Sequence, residues 1–464
     1  MNSEPFARIV DQAMATRLAA LPASVILAAK MDILDIIGVA VAGRDAAGVP
    51  EVLELLGELG GNPTCGIIAS SLRAPAPAAA LANSCMGHAL DFDDTHDRAT
   101  LHAGIALVPA ALAAAEHVGG ASGARLLEAV VCGLELVVRM GLATRLGPNI
   151  TGWHLTSVYG CFGAALAAGM VLGLDRAQLL GALGLAYSQG AGNVQAVKDG
   201  ALAKRLQPGF AASAGVMSAL LARKGLSGAQ RIVTGEFGYF KVYQNDDMVP
   251  GVLGEDPATS KYHADELSFK MYPCCRFLHT AIDAALRLRE RAPDLVNGHA
   301  TIAAINIAVN EEAWRGLVEP VDVKRRPRNS VDAQFSFPYT VATALIKGRV
   351  GIVDFSPAAL VDEQVLALAQ RVHVEHSAAL DEDGGKGITP AIVTLRRNDG
   401  TVLVERNDTP TGSPPDVSFA DIEAKFRACI AGRAGWSARA DAIVDCVREL
   451  EQRDSTELMA LLGV

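Results

Sequence analysis

The chain has 464 residues, half of them apolar and only 5% aromatic, with a formal charge of −10. Burial is not limiting and the length calls for more than one domain, while the acidic balance leaves no general basic face for nucleic acid or an anionic membrane surface. Abundant alanine and glycine with few aromatics favour closely packed helices over a large β-sandwich.

In chain order, the opening "MNSEPFARIVDQ" has no basic stretch followed by an apolar one, so the expectation is a cytoplasmic protein without an export signal. From about residue 6 to 265 helical patterns follow one another. "ASVILAAKMDILDIIGVAVAG" and "GARLLEAVVCGLELVVRMG" each end in glycine, as helix C-termini do. Residues 155–174 and 177–197 carry no charge over about a membrane's width, yet Gly, Ser, Gln or Asn interrupt them, which reads as buried core helices. The pattern changes near "DPATSKYHADELSFKMYPCC". One more helix, His279 to Arg291, precedes the alternating runs "INIAV" and "RVHVEH". "AIVTLRRNDGTVLVER" then reads as two strands around an Asp399-Gly400 turn. Beyond "TPTGSPPDVS" helical patterns return. The expected class is mainly α: a large all-helical domain over 1–266, a smaller α+β domain over 267–408, and C-terminal helices over 409–464 that pack back on the first.

The stretch "GHALDFDDTHDRATLHAG", Gly87 to Gly104, concentrates four aspartates and three histidines. Asp93, Asp94 and Asp97 fit the DDxxD pattern by which helical prenyl-transferring enzymes hold Mg²⁺ against a diphosphate, but the best candidate for a second acidic motif, "QNDDMVPG", runs straight into Pro250. A solvated turn is the plain alternative. Leu90 and Phe92 between the acids argue for burial, and buried carboxylates need partners or work to do. The eight cysteines lack the paired spacing of structural zinc, and Cys274-Cys275 reads as packing. One basic cluster, "KRRPRNS" from Lys324 to Ser330, is either a solvated face or a carboxylate clamp, with Arg325, Arg326 and Arg328 as equal candidates.

"HALDFDDTHD" followed by "LHAG", and then "GWHLTSVYGCFGAALAAG", "AKRLQPGFAASAG", "KMYPCCRFLH" and "DAQFSFPY" in that order, resembles the MmgE/PrpD family, which includes 2-methylcitrate dehydratase, cis-aconitate decarboxylase and iminodisuccinate epimerase. The resemblance implies a helical domain completed by the C-terminal helices, a smaller α+β lid, and usually a homodimer. It implies a small di- or tricarboxylate as the only partner besides a second copy, with no nucleic acid and no membrane. The implied chemistry is proton movement at carbon next to a carboxylate, with no cofactor and no metal.

The resemblance places Asp91, Thr95, His102, His154, Lys204, Lys270 and Tyr339 at active-site positions. The histidines suit proton transfer, the lysines carboxylate binding or proton donation, and Asp91 the orientation of a neighbour. Rival roles exist: helix capping for His154, Arg205 in place of Lys204, a helix-face pair with Glu266 for Lys270, and loop holding for His279. His102 stands one residue later than in the decarboxylase-like pattern, and Asp93 and His96 replace the Asn and Trp of the dehydratase branch. Dehydration of a 2-methylcitrate-like hydroxy acid is the first expectation. Decarboxylation of a cis-aconitate-like acid and iminodisuccinate-type epimerisation are the alternatives on the same site.

Overall fold

A computed structural model describes residues 4–255, 261–294, 301–384, 387 and 389–463. Residues 256–260, where the sequence pattern changes, lie outside the described residues. The chain is mainly α, with its strands confined to small sheets. It divides into two compact units, Met1–Val194 with Leu202–Phe269 and Pro414–Val464, and Gln195–Ala201 with Lys270–Ser413. The expected breaks at 266 and 408 differ from these by a few residues, and the short 195–201 segment falls with the second unit.

In the first unit the Ala23–Gly43 helix is buried along most of its length even at Lys30, Asp32 and Asp35. Charges inside an apolar helix need partners. One comes from the Phe419–Ile430 helix, which begins at a Ser418 cap and approaches so closely that a Cβ on Gly38 would sit 3.1 Å from the Phe426 ring. From that helix Lys425 reaches Asp35 Oδ1 at 2.6 Å, donates to the Phe92 carbonyl at 2.6 Å and lies 4.1 Å from the Phe92 ring centre.

Small residues set the spacing of the helices that carry the site. A Cβ on Gly209 would lie 2.4 Å from Cys85 Sγ and 2.7 Å from the Leu81 carbonyl, so only glycine lets the Ala203–Arg223 helix pack this closely on the Ala76–His88 helix. The uncharged 155–174 stretch forms the Leu155–Val171 helix, buried throughout. The 177–197 stretch continues the Arg176–Tyr187 helix only to Tyr187. Among the described residues no helix is long and apolar enough to cross a membrane.

In the second unit a four-stranded sheet has the order Val372–His376, Ile302–Val309, Ala391–Arg397, Val402–Asn407. The first pair is parallel and the others antiparallel. Ile302, Ile305, Ile307, Val393 and Leu395 enter one core with residues of the His279–Arg291 and Phe337–Lys347 helices. The Asp399-Gly400 turn closes the last hairpin, with Gly400 at φ +88° and the Arg397 N–H bonded to the Thr401 carbonyl.

Candidate active site

The Ala76–His88 helix stops at His88, and the chain leaves it through an irregular segment in which Asp91 adopts φ +52°. Few non-glycine residues hold the left-handed region, and aspartate is among those that tolerate it. The turn puts consecutive acids in different directions. Asp91 pairs with the ammonium of Lys204, both at least nine-tenths buried. Lys204 lies in the first turn of the Ala203–Arg223 helix, whereas its neighbour Arg205 donates to the Ala47 carbonyl at 2.7 Å. This separates the two basic residues that the sequence could not.

Asp93 is fully buried and its Oδ2 meets His88 Nδ1 at 2.8 Å and His102 Nδ1 at 2.9 Å. The two rings stand at 90° with centres 4.7 Å apart, and His154 lies 6.0 Å from His88. Burial opposes the charge on Asp93, yet His102 and His88 hold its carboxyl well below the usual range. With Asp93 ionised, His88 must present Nδ1–H to it, which leaves its Nε2 as the accepting nitrogen. Burial pushes His88 down to about 4 and drives His154 well below its ordinary value, with Lys204 adding repulsion to both. Both rings are therefore neutral at pH 7. His154 makes no side-chain cap to the helix it precedes, and its N–H bonds to the Gly192 carbonyl.

Asp94 fixes the loop that carries His102. Its Oδ2 accepts the Ala103 and Gly104 N–H groups at 2.8 and 3.0 Å, while the His102 N–H donates to Thr156 Oγ1 at 3.1 Å. A Cβ on Gly104 would lie 2.0 Å from Asp32 Oδ2, so glycine is required there too. Burial and the charge of Asp93 push Asp94 up to about 7, and burial with Asp94, Asp35 and Asp93 as neighbours pushes Asp32 up as well. Thr95 is tied by its N–H to the Ser268 carbonyl at 2.7 Å and by its hydroxyl to Asp97 at 3.3 Å. Asp97 also takes the Ser268 hydroxyl at 2.8 Å. The three acids of DDxxD thus face three separate sets of partners and do not converge on one cation, which removes the observation behind the diphosphate reading.

Among the described residues, His88, Asp91 and His102 are the group whose ligand atoms come together, within 4.8 Å of one another. The set resembles a two-histidine, one-carboxylate metal site. Lys204 already brings a cation to Asp91, so a metal there would meet direct repulsion.

In the second unit Lys270 is buried, and Tyr339 lies in the core with its hydroxyl donating to the Asp354 carbonyl at 2.6 Å. That bond occupies the proton expected for substrate, and burial raises the phenol further above its ordinary value. His279 is held by the Cys274 carbonyl at 3.3 Å and by the Tyr272 ring at 5.0 Å, which assigns it to the loop. Glu266, the alternative partner for Lys270, is taken by Lys261 and by His263 at 2.9 Å. Cys274 is buried, and all eight cysteines are free of disulfides.

The MmgE/PrpD N-terminal domain model matches residues 7–250 and the MmgE/PrpD C-terminal domain model matches residues 272–451. The chain belongs to the MmgE/PrpD family. It is 29% identical to a cis-aconitate decarboxylase of Aspergillus terreus over 96% of this chain and 92% of that protein. It is 28% identical to the human cis-aconitate decarboxylase over 84% of this chain and 80% of that protein. Similarity to the 2-methylcitrate dehydratase of Cupriavidus necator is 28% and covers 51% of this chain and 48% of that protein.

Within this MmgE/PrpD chain, the sequence reading overlooked His88 and took Asp93 as a metal-ligand candidate and as a departure from the dehydratase branch, not as a partner of histidines. The available signal was a histidine at the last turn of an apolar helix, three residues before Asp91 and five before Asp93.

Proposed function

We propose that this protein is a cofactor-independent lyase for a small tricarboxylate, and that its reaction is decarboxylation of a cis-aconitate-like acid. The carrying observation is the pair of histidines on one buried, ionised Asp93 beside the Lys204–Asp91 ion pair. Decarboxylation asks the protein to hold a carboxylate out of water, stabilise the carbanion left by carbon dioxide, and deliver one proton to carbon. It does not require a strong base. His88 and His154, neutral and weakly basic, suit a desolvated pocket better than C–H abstraction, and Lys204 can donate the proton with Asp91 holding it in place. The similarity to cis-aconitate decarboxylases along nearly the whole chain supports the same order.

The second reading is dehydration of a 2-methylcitrate-like acid, favoured by one feature. His102 is oriented by Asp93 as a general base would be, and it would take the C–H proton while Lys204 protonates the departing hydroxide. Lys270 remains a candidate carboxylate ligand in either reaction. A homodimer is part of the proposal, supported by the exposed Phe210, Met217 and Leu221 along one stripe of the Ala203–Arg223 helix.

The test is a thermal-shift screen of wild type and Lys204→Ala against di- and tricarboxylates, with turnover assays on every hit. Ligand at a hundred times its dissociation constant should stabilise the fold by about 2.7 kcal/mol. A tricarboxylate shift lost in Lys204→Ala supports the reading. Shifts that appear only with diphosphate and Mg²⁺ would overturn it.

A further inference from the structure

The stretch from Asp91 to Asp94 is neither helix nor strand, yet it sends Asp91 to Lys204, Asp93 to His88, and Asp94 to the loop at Ala103 and Gly104. A segment outside any ladder keeps its direction only where its peptide groups find partners. The Asp91 N–H donates to the His88 carbonyl at 3.1 Å and the Thr95 N–H to the Ser268 carbonyl at 2.7 Å. For Phe92, Asp93 and Asp94, one hydrogen bond among the described residues reaches the main chain: Lys425 Nζ donates to the Phe92 carbonyl at 2.6 Å.

Lys425 is fixed from its own side as well. It precedes Phe426, whose contact with Gly38 sets the Phe419–Ile430 helix against the Ala23–Gly43 helix. Its side chain is 4% exposed, and its ammonium also meets Asp35 Oδ1 at 2.6 Å, with the Phe92 ring centre 4.1 Å away. Burial and the neighbouring Asp94, Asp35 and Asp93 push Asp32 up, and Lys425 is the cation that opposes them. One lysine thus supplies the positive charge behind a set of buried acids and the bond that holds the chain carrying two of them.

An ion pair with Asp35 alone would join two helices and leave the site untouched. The bond to Phe92 does more, because that carbonyl belongs to the peptide that joins Phe92 to Asp93. Rotation of this peptide turns Asp93 away from His88 and shifts Asp91 against Lys204. We propose that Lys425 is a positioning residue for the reaction centre: it holds the Phe92–Asp93 peptide so that Asp91 and Asp93 keep their separate directions, and it acts through them without touching the substrate. This inference rests on the lyase reading above. A misplacement of about 1 Å in groups that align a substrate costs about 100-fold in rate, which sets the size of the expected effect.

The test separates the bond to Phe92 from the ion pair. Lys425→Met alone removes the charge opposite Asp35, and that lowers the melting temperature whatever else Lys425 does. The deciding variant is therefore the double substitution Asp35→Asn with Lys425→Met, which removes both charges together and the bond to Phe92 with them. Asp35→Asn alone keeps Lys425 and that bond. Each is assayed on a turned-over di- or tricarboxylate well below its own melting transition. In the same preparations without substrate, the Nδ1–H proton that His88 gives to Asp93 is followed as a downfield resonance by proton NMR.

The double variant should lose about 10-fold to 100-fold in kcat with KM within about threefold, and its His88 resonance should shift or broaden. Asp35→Asn should keep kcat within about threefold and the resonance in place. A double variant that melts lower but keeps kcat and the resonance would make Lys425 structural and overturn the proposal. Equal losses in the double variant and in Asp35→Asn would assign the effect to the ion pair and overturn it too. If the wild-type chain turns over no di- or tricarboxylate, the lyase reading fails, and the resonance in the two variants still decides the role of Lys425.

Discussion

Replacing Asp93 with asparagine preserves shape and removes the charge that two histidines share. The carboxylate oxygen accepts from His88 at 2.8 Å and lies 2.9 Å from His102 Nδ1. An amide offers one acceptor oxygen and an NH₂ group, so it satisfies one ring as before and forces the other to turn its Nδ1 into an acceptor and move its proton to Nε2. Each lost charge-assisted bond is worth about 1.5–3 kcal/mol. Part of that is returned, because the charge of Asp93 adds to the burial that raises Asp94 and Asp32. A net stability loss of about 1–3 kcal/mol follows, within the range of ordinary buried substitutions. Turnover should fall much further, by about 100-fold to 10,000-fold, because the anion that fixes the orientation of both rings beside the Lys204–Asp91 pair is gone and the groups that hold the substrate lose their alignment. The assay is steady-state kinetics on the substrate found by the ligand screen, with circular dichroism and thermal melts on the same preparation. A folded Asp93→Asn protein with kcat within threefold of wild type would refute the account of the histidine pair.

Other outcomes follow from the same geometry. Asp94 titrates near 7 when folded and near 3.8 when unfolded, so the folded state holds the extra proton between those values and stability from this group falls as pH rises from about 4 to 7. Asp94→Asn keeps an oxygen for the Ala103 and Gly104 N–H groups and should raise the melting temperature at pH 8 while changing it little at pH 4. Tyr339→Phe should cost about 1 kcal/mol in denaturant melts for the lost bond to Asp354 and leave kcat unchanged; a large drop in kcat would return Tyr339 to the site. Exhaustive EDTA treatment should leave activity intact, and loss restored by one added metal would make His88, Asp91 and His102 a metal site.

Much of this was legible from the chain because long-period signals survive in one sequence. The helix run ending at Gly43, the alternation in "INIAV" and the Asp399-Gly400 turn each carry their geometry locally and appear where expected, while the Gly123–Ala143 helix runs past Gly141. The family blocks pointed to Asp91, His102, His154 and Lys204, which the structure brings into one neighbourhood of the first unit. What was not legible depends on partners distant in sequence. His88 is informative only once Asp93 and His102 fold around it. The burial of Asp35 likewise depends on Lys425, hundreds of residues away, which supplies its charge partner. The choice between Lys204 and Arg205, and the question of which arginine at 325, 326 or 328 has its charge in reserve, turn on which side chain is already spent on a carbonyl or a carboxylate. Residue type does not encode that. Tyr339 is the reverse case: the motif marks the position but does not show that its hydroxyl donates to the Asp354 carbonyl.

The most direct measurement of the central claim is a proton NMR time course of the purified protein with cis-aconitate and, separately, 2-methylcitrate in D₂O. The account predicts that cis-aconitate loses one carboxyl group and gains one deuteron on the carbon that carried it or on its allylic partner, and that Lys204→Ala stops the reaction. Water loss from 2-methylcitrate without any consumption of cis-aconitate would move the protein to the dehydratase reading. Neither substrate consumed, with no thermal shift from any di- or tricarboxylate, would contradict the lyase assignment itself.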